Sequence, residues 1–240
     1  MKSPKELAVQ VGRSAGTTAL LYSSSAANRV GAALILAHGA GAGQRSPFIV
    51  DFADALTELG IDVITFNFLY SEQRRRLPDR GPVLEECYRA VIDAVCDEAD
   101  SARRFLFGGG KSMGGRIATQ VAAADRSLPI RGLVLLGYPL HPPGRPEQRR
   151  DAHLPAVGLP MLFVQGGRDA FGTPAELGPV VASLSPAATL HVVEGGDHSL
   201  KLSRKDPAAQ TAVYAGVQRI IVEWIRTIIA TGGETLPRHD

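Results

Sequence analysis

The chain has 240 residues, 45% hydrophobic and 21% charged, with a formal net charge of +2. This is ordinary globular composition, long enough for one large domain, and too weakly charged to argue for a nucleic acid or membrane partner. No run is long enough to span a bilayer, because Arg219, Glu223 and Arg226 interrupt the greasiest stretch, "RIIVEWIRTIIA". The start, "MKSPKELAVQ", lacks the apolar core of a signal peptide. Cys87 and Cys96 are nine residues apart in a helical pattern, hence on opposite faces and unsuited to bond to each other. The expectation is a soluble, cytoplasmic protein.

In chain order, short β-rich runs alternate with helical patterns. "TTALLY" reads as an early strand, and the continuously apolar 32–38 as a strand buried on both faces. A helix follows, with Ser46 as N-cap, Pro47 at its first position and Gly60 at its exit. Phe48, Phe52, Leu56 and Leu59 fall at helical spacing inside it. Strand "IDVITFNF" comes next, then a loop through "SEQRRRLPDRGP" and a helix over about 83–96. "RFLF" is a strand entering a glycine-rich turn, and "RIATQVAAA" is the helix leaving it. Strand "GLVLLGY", a Pro-rich connection, strand "MLFVQG", helix "PAELGPVVASL" and strand "TLHVVE" complete the alternation. A last helix starts at Asp206 and Pro207, with Val213, Val217, Ile220, Ile221, Trp224 and Ile228 as its apolar stripe.

This pattern predicts an α/β fold: a mostly parallel sheet with helices on both faces, one domain over 1–230 and a loose tail over 231–240. The Pro-rich connection over 139–160 is too short to pack as a separate lid domain. Such sheets place their sites in loops at the carboxyl ends of the strands.

The turn "LFGGGKSMGGR" admits two readings. A phosphate loop needs a glycine five positions before Gly110, where Phe105 stands, so the loop is too short. A dinucleotide fingerprint fails as well, because Met113 occupies the place of its third glycine. A nucleophile turn, Gly-x-Ser-x-Gly, fits at Gly110, Ser112 and Gly114, with a strand before and a helix after. Strand and helix crowd together there, so the residues two before and two after the serine must be small.

A serine hydroxyl needs a base, and the base needs a carboxylate, in the order Ser, Asp or Glu, His. Asp169 follows strand "MLFVQG" and His198 follows strand "TLHVVE", both on the edge that Ser112 shares. Glu194 and Asp197 are competing carboxylates, but Asp197 adjoins His198, and adjacent side chains face each other poorly. The developing oxyanion needs donors, each worth roughly 3–4 kcal/mol. The backbone amide of Met113 is one candidate; Ala40, and after it Gly39, in the loop "HGAGAG" supply the other. His38, His141, His153 and His191 carry no metal-ligand spacing.

Two loops gather charge. Arg74, Arg75, Arg76 and Arg80 lie in one and Arg145, Arg149 and Arg150 in another, with Lys111 beside the serine and Glu72, Asp79, Glu147 and Asp151 interspersed. They form either a solvated rim with internal ion pairs, or a surface that attracts acidic substrates through residues such as Arg75 and Arg149.

"LAHGAGAG", "FNFLYSEQRRRLPDR", "GGGKSMGGR", "GYPLHPPGRPE", "LFVQGGRDAFG" and "GGDHSL" together resemble one branch of the α/β-hydrolase superfamily. The branch holds dienelactone-hydrolase-like bacterial proteins, a testis-expressed animal protein and a domain in a subunit of a chromatin acetyltransferase complex. The resemblance spans roughly 32–224. It implies an α/β-hydrolase sheet, Ser112 as nucleophile, Asp169 as acid and His198 as base, and no cofactor. The expected function is a serine hydrolase acting on a small acyl substrate (an ester, thioester or lactone). The alternative is a catalytically quiet interaction or scaffold module on the same fold.

Overall fold

The computed structural model describes residues 3–25, 27–203 and 206–232. An antiparallel hairpin opens the chain: β1 (Lys5–Val11) pairs β2 (Ala15–Tyr22). Then follow β3 (Ala33–Ile35), α1 (Pro47–Glu58), β4 (Asp62–Phe66), α2 (Leu69–Glu72), α3 (Gly81–Glu98) and α4 (Asp100–Arg104). The glycine-rich strand β5 (Leu106–Lys111) leads into α5 (Met113–Ala124). The chain continues through β6 (Ile130–Leu136), α6 (Leu154–Val157), β7 (Met161–Gly166), α7 (Pro174–Ala182), β8 (Thr189–Val193) and α8 (Pro207–Gly232).

One eight-stranded sheet runs in the order β1-β2-β4-β3-β5-β6-β7-β8. Strands β4 to β8 and β3 pair in parallel, and β2 joins β4 antiparallel. All of β3, β4 and β5 is buried, as their continuous apolar runs and glycines require of strands covered on both faces. This is the α/β-hydrolase fold.

Two cores flank the sheet. On one face α1 and α8 pack Ile49, Phe52, Leu56, Val217, Ile221 and Ile225 against it. On the other α3, α5, α6 and α7 bury Tyr88, Ile117, Val121, Leu154 and Leu177. The chain leaves β3 toward one edge of the sheet and returns to place β5 on the other side of β3. The helix that follows β3 lies on one face and the helix that follows β5 lies on the other. A crevice therefore opens between the ends of β3 and β5, the topological switch point at which such sheets bind ligands.

The elements differ from the sequence expectation in a few places. Strand β1 adds to the expected elements, with Leu7, Val9 and Val11 alternating inward. The loop after β4 contains α2, and the Pro-rich connection after β6 contains the single turn α6. Ser46 has the extended backbone of an N-cap, but its side chain makes no capping bond. Asp206 does cap α8, accepting from the Ala209 amide at 3.0 Å. Val222 and Ile225 join Val217 and Ile221 in the buried stripe of α8. Helix α8 takes in Thr231 and Gly232, and the rest of the expected tail lies outside the described residues. Among the described residues no helix is long and apolar enough to cross a membrane.

Candidate active site

Ser112 stands between β5 and α5 with φ 51° and ψ −115°, a conformation non-glycine residues rarely adopt. Bonds on both sides hold the turn: the Lys111 amide donates to Ala37 O at 2.9 Å and the Ser112 amide to Leu136 O at 2.9 Å. The neighbouring glycines are dictated by crowding. A Cβ on Gly110 would lie 2.4 Å from Ala37 O, and one on Gly114 2.6 Å from the same oxygen. Below them, Gly109 gives its amide to Tyr88 Oη at 2.8 Å, and its carbonyl accepts from that hydroxyl at 3.1 Å. Tyr88 thus ties α3 to the strand just past the shift in its pairing with β6 between Leu106 and Gly108.

The structure brings Ser112, Asp169 and His198 together. His198 Nε2 lies 2.8 Å from Ser112 Oγ, and its Nδ1 lies 2.8 and 3.0 Å from the two Asp169 carboxylate oxygens. An Nδ1 facing a carboxylate carries the ring proton, so Nε2 is the acceptor and the Ser112 hydroxyl donates to it. Asp169 is fully buried. Gln165 Nε2 donates to its Oδ2 and the Phe171 amide to its Oδ1, both at 2.8 Å, so the carboxylate is fixed before the imidazole meets it. The competing acids are elsewhere. Asp197 Oδ1 accepts the Ser199 and Lys201 amides at 2.7 and 2.9 Å, closing the His198 loop, and Glu194 is exposed.

Two supports of His198 were not read from the sequence. The Phe171 ring stacks on the imidazole at 4.1 Å between centroids. Lys111, buried at 8% exposure, reaches across from β5 and donates from Nζ to His198 O at 2.6 Å. Burial pushes the Lys111 pKa down to about 8 against the attraction of Asp169 and Asp197.

The loop after β3 is shaped by His38, which is fully buried and whose pKa burial lowers. The Phe68 amide donates to its Nε2 at 3.2 Å, which leaves Nδ1 to donate to Gly39 O at 2.8 Å. Gly39 O also accepts the Ala42 amide at 3.2 Å. In a planar trans peptide the N–H opposes the C=O. The Ala40 N–H is therefore turned away from the bonds that hold Gly39 O. A Cβ on Gly39 would sit 3.5 Å from Ser112 Cβ, so this loop runs directly beside the serine. The Met113 amide, first in α5, has no carbonyl partner within its helix.

These groups open into a cavity of about 820 Å³, lined by Gly39, Ala40, Ser112, Met113 and His198 among others. It straddles the sheet edge. One arm lies over the α1–α8 face, with Pro47, Phe48, Ile49 and Tyr214; the other lies over the α3–α5 face, with Leu84, Arg116, Pro139 and Arg150. Arg75 and Arg149, the rim residues singled out in the sequence, lie outside its lining: each is bound to its own loop's carboxylate, Asp79 and Asp151. Among the described residues no group of three His, Cys, Asp or Glu side chains is placed to hold a metal ion.

The chain belongs to the α/β-hydrolase domain family, whose sequence profile matches residues 30–226. Solved structures share the fold. An alpha-beta serine hydrolase homologue from Coxiella burnetii superposes with a TM-score of 0.70 at 17% identity, over 93% of this chain and 98% of that one. A serine hydrolase without lid from Xanthomonas campestris gives 0.69 at 23% identity, over 92% and 96%. A dienelactone hydrolase from Anabaena variabilis gives 0.69 at 21% identity, over 92% and 99%.

Proposed function

We propose that the chain is a serine hydrolase that cleaves a small ester, thioester or lactone through an acyl-enzyme on Ser112. One observation carries this reading: the serine hydroxyl, imidazole and buried carboxylate are bonded in series at 2.8 Å each. In the first half-reaction His198 Nε2 takes the hydroxyl proton as Ser112 Oγ bonds to the acyl carbon. The proton then goes to the leaving group as its bond to that carbon breaks. Water, deprotonated by the same nitrogen, releases the acid and regenerates the serine. Asp169 orients the ring and stabilises its cation. The Met113 and Ala40 amides, with Gly39 beside them, face the developing oxyanion.

The reaction needs no cofactor and a single domain over 1–230 suffices. Two cysteines free of disulfides suit a cytoplasmic setting. The resemblance to a branch that includes a testis-expressed protein and a chromatin-complex subunit points to a scaffold instead, but a scaffold requires neither a strained serine nor a base bonded to it.

Hydrolysis of an activated aryl ester tests the reading. Ser112→Ala should remain folded and lose kcat by about a millionfold, and Asp169→Asn should lose most activity but less, about ten-thousandfold. Near-wild-type turnover in Ser112→Ala would refute the mechanism. A larger loss in Asp197→Asn or Glu194→Gln than in Asp169→Asn would refute the choice of acid.

A further inference from the structure

We propose that Arg116 and Arg150 form an anion-binding arm of the cavity, so that the preferred substrates are esters carrying a free carboxylate. The inference rests on the reading of Ser112 as nucleophile for where the scissile bond lies.

Arg116 sits one turn into α5, four residues after the serine, and Arg150 comes from the connection after β6; both line the cavity. Burial, and after it the like charge of Arg150, depress the Arg116 pKa. A compact fold ordinarily sets a carboxylate between two such groups. Three acids of the surrounding elements are already engaged by other arginines. Asp79 pairs with Arg75 at 2.7 Å, Asp151 pairs with Arg149, and Glu85 lies 3.8 Å from Arg89. Arg75 and Arg149 thus occupy the acids and leave the two cavity arginines without ion pairs among the described residues.

The arm is built rather than loose. Arg150 is anchored through its backbone: its amide donates to Leu140 O at 2.8 Å and its carbonyl accepts from Tyr138 Oη at 2.6 Å. Arg116 Nη1 donates to Gln120 Oε1 at 3.1 Å, while its Nε is buried with no hydrogen-bond partner. A buried N–H of a charged group left unmatched is costly, and a bidentate oxyanion is the ligand whose geometry matches it. The other lining cations differ. Lys111 is committed to His198 O, and Lys201 is exposed. Asp51 lies on the opposite, α1 side of the cavity. Asp79 also lines the arginine side; Arg75 holds its Oδ1 at 2.7 Å, while its Oδ2 is buried with no hydrogen-bond partner.

Two matched ester pairs and one binding measurement test the proposal. p-Nitrophenyl hydrogen adipate is compared with p-nitrophenyl hexanoate, and 4-acetoxybenzoate with its methyl ester, corrected for spontaneous hydrolysis. The wild type should favour the acidic member of one pair in kcat/KM by at least about tenfold, as expected for a charge-assisted bond. That preference should collapse in Arg116→Gln/Arg150→Gln and shrink at high salt. Arg150→Gln alone gives the same readout should the double variant fail to fold. Adipate, but not adipamide, should raise the Tm of the wild type and of Ser112→Ala, and not that of the arginine variants. Stabilisation by adipate without ester turnover would uphold the anion arm and remove the hydrolase reading. Turnover with no preference in either pair, and no adipate effect, would overturn the arm and leave the hydrolase standing. Equal losses on acidic and neutral esters in the variants would also overturn it.

Discussion

At the scale of single residues, Lys111 links the two ends of the site. It occupies the variable position before Ser112, and its Nζ holds the carbonyl of His198 from 87 residues away in the chain. The bond fixes the histidine loop against the strand that presents the serine, so Lys111 is a positioning residue. Its burial has a thermodynamic signature. The folded chain holds the Lys111 proton less tightly than the unfolded chain, with a pKa of about 8 against the ordinary 10.5. Below about pH 8 both states carry the proton and the penalty of burying the charge is constant. Between about 8 and 10.5 the folded state sheds it first, so stability rises with pH across that window. We expect Lys111→Met to remove a rise on the order of 2 kcal/mol between pH 7 and 10, measured by denaturant unfolding. It should also lower kcat on a neutral ester tenfold or more, as about 1 Å of misplacement does. A variant with the wild-type pH slope and kcat would show that the contact positions nothing.

At the scale of elements, the turn between β5 and α5 is set by backbone contact with the loop after β3. A Cβ on Gly114 would meet Ala37 O at 2.6 Å, Ala37 C at 2.7 Å and His38 O at 2.7 Å, none of which can rotate away. Gly216 in α8 is the contrasting case, since a Cβ there meets nothing within 4 Å. Gly114→Ala should therefore destabilise by about 1–3 kcal/mol and lower Tm by several degrees. Gly216→Ala should stabilise by about 0.5–1 kcal/mol through helix propensity. Thermal melts check both signs, and a Gly114→Ala melt equal to the wild type would contradict the packing.

The same elements show what the sequence discloses. Ser112, Asp169 and His198 could be placed because each follows a strand end, and strand ends in a parallel sheet share one edge. Strand β1 shows in the sequence only as the short alternation of Leu7, Val9 and Val11. Of the arginine loops the sequence shows the count and not the partners. Which arginine meets which acid is partly local, since Asp79 lies four residues after Arg75 and Asp151 two after Arg149. That Arg116 and Arg150 line one cavity depends on α5 and the β6 connection meeting in space. The same holds for Lys111 and for Phe171 over the imidazole, because no spacing encodes contacts between distant segments.

At the scale of the molecule, the order of strands creates the site. The reversal at β3 and β5 sends α1 and α5 to opposite faces, and the cavity forms where their loops part. The connection over 139–160, where lids are inserted in such folds, forms only α6 and a rim. Ser112 should therefore react in plain aqueous buffer without an oil–water interface to open it. The most direct test is intact-mass analysis after exposure to a bulky fluorophosphonate in detergent-free buffer. The account expects one adduct per native chain, on the peptide holding Ser112, and none on the heat-denatured protein or on His198→Ala. No adduct on the native chain, or equal labelling of His198→Ala, would contradict the claim that this serine is an activated nucleophile.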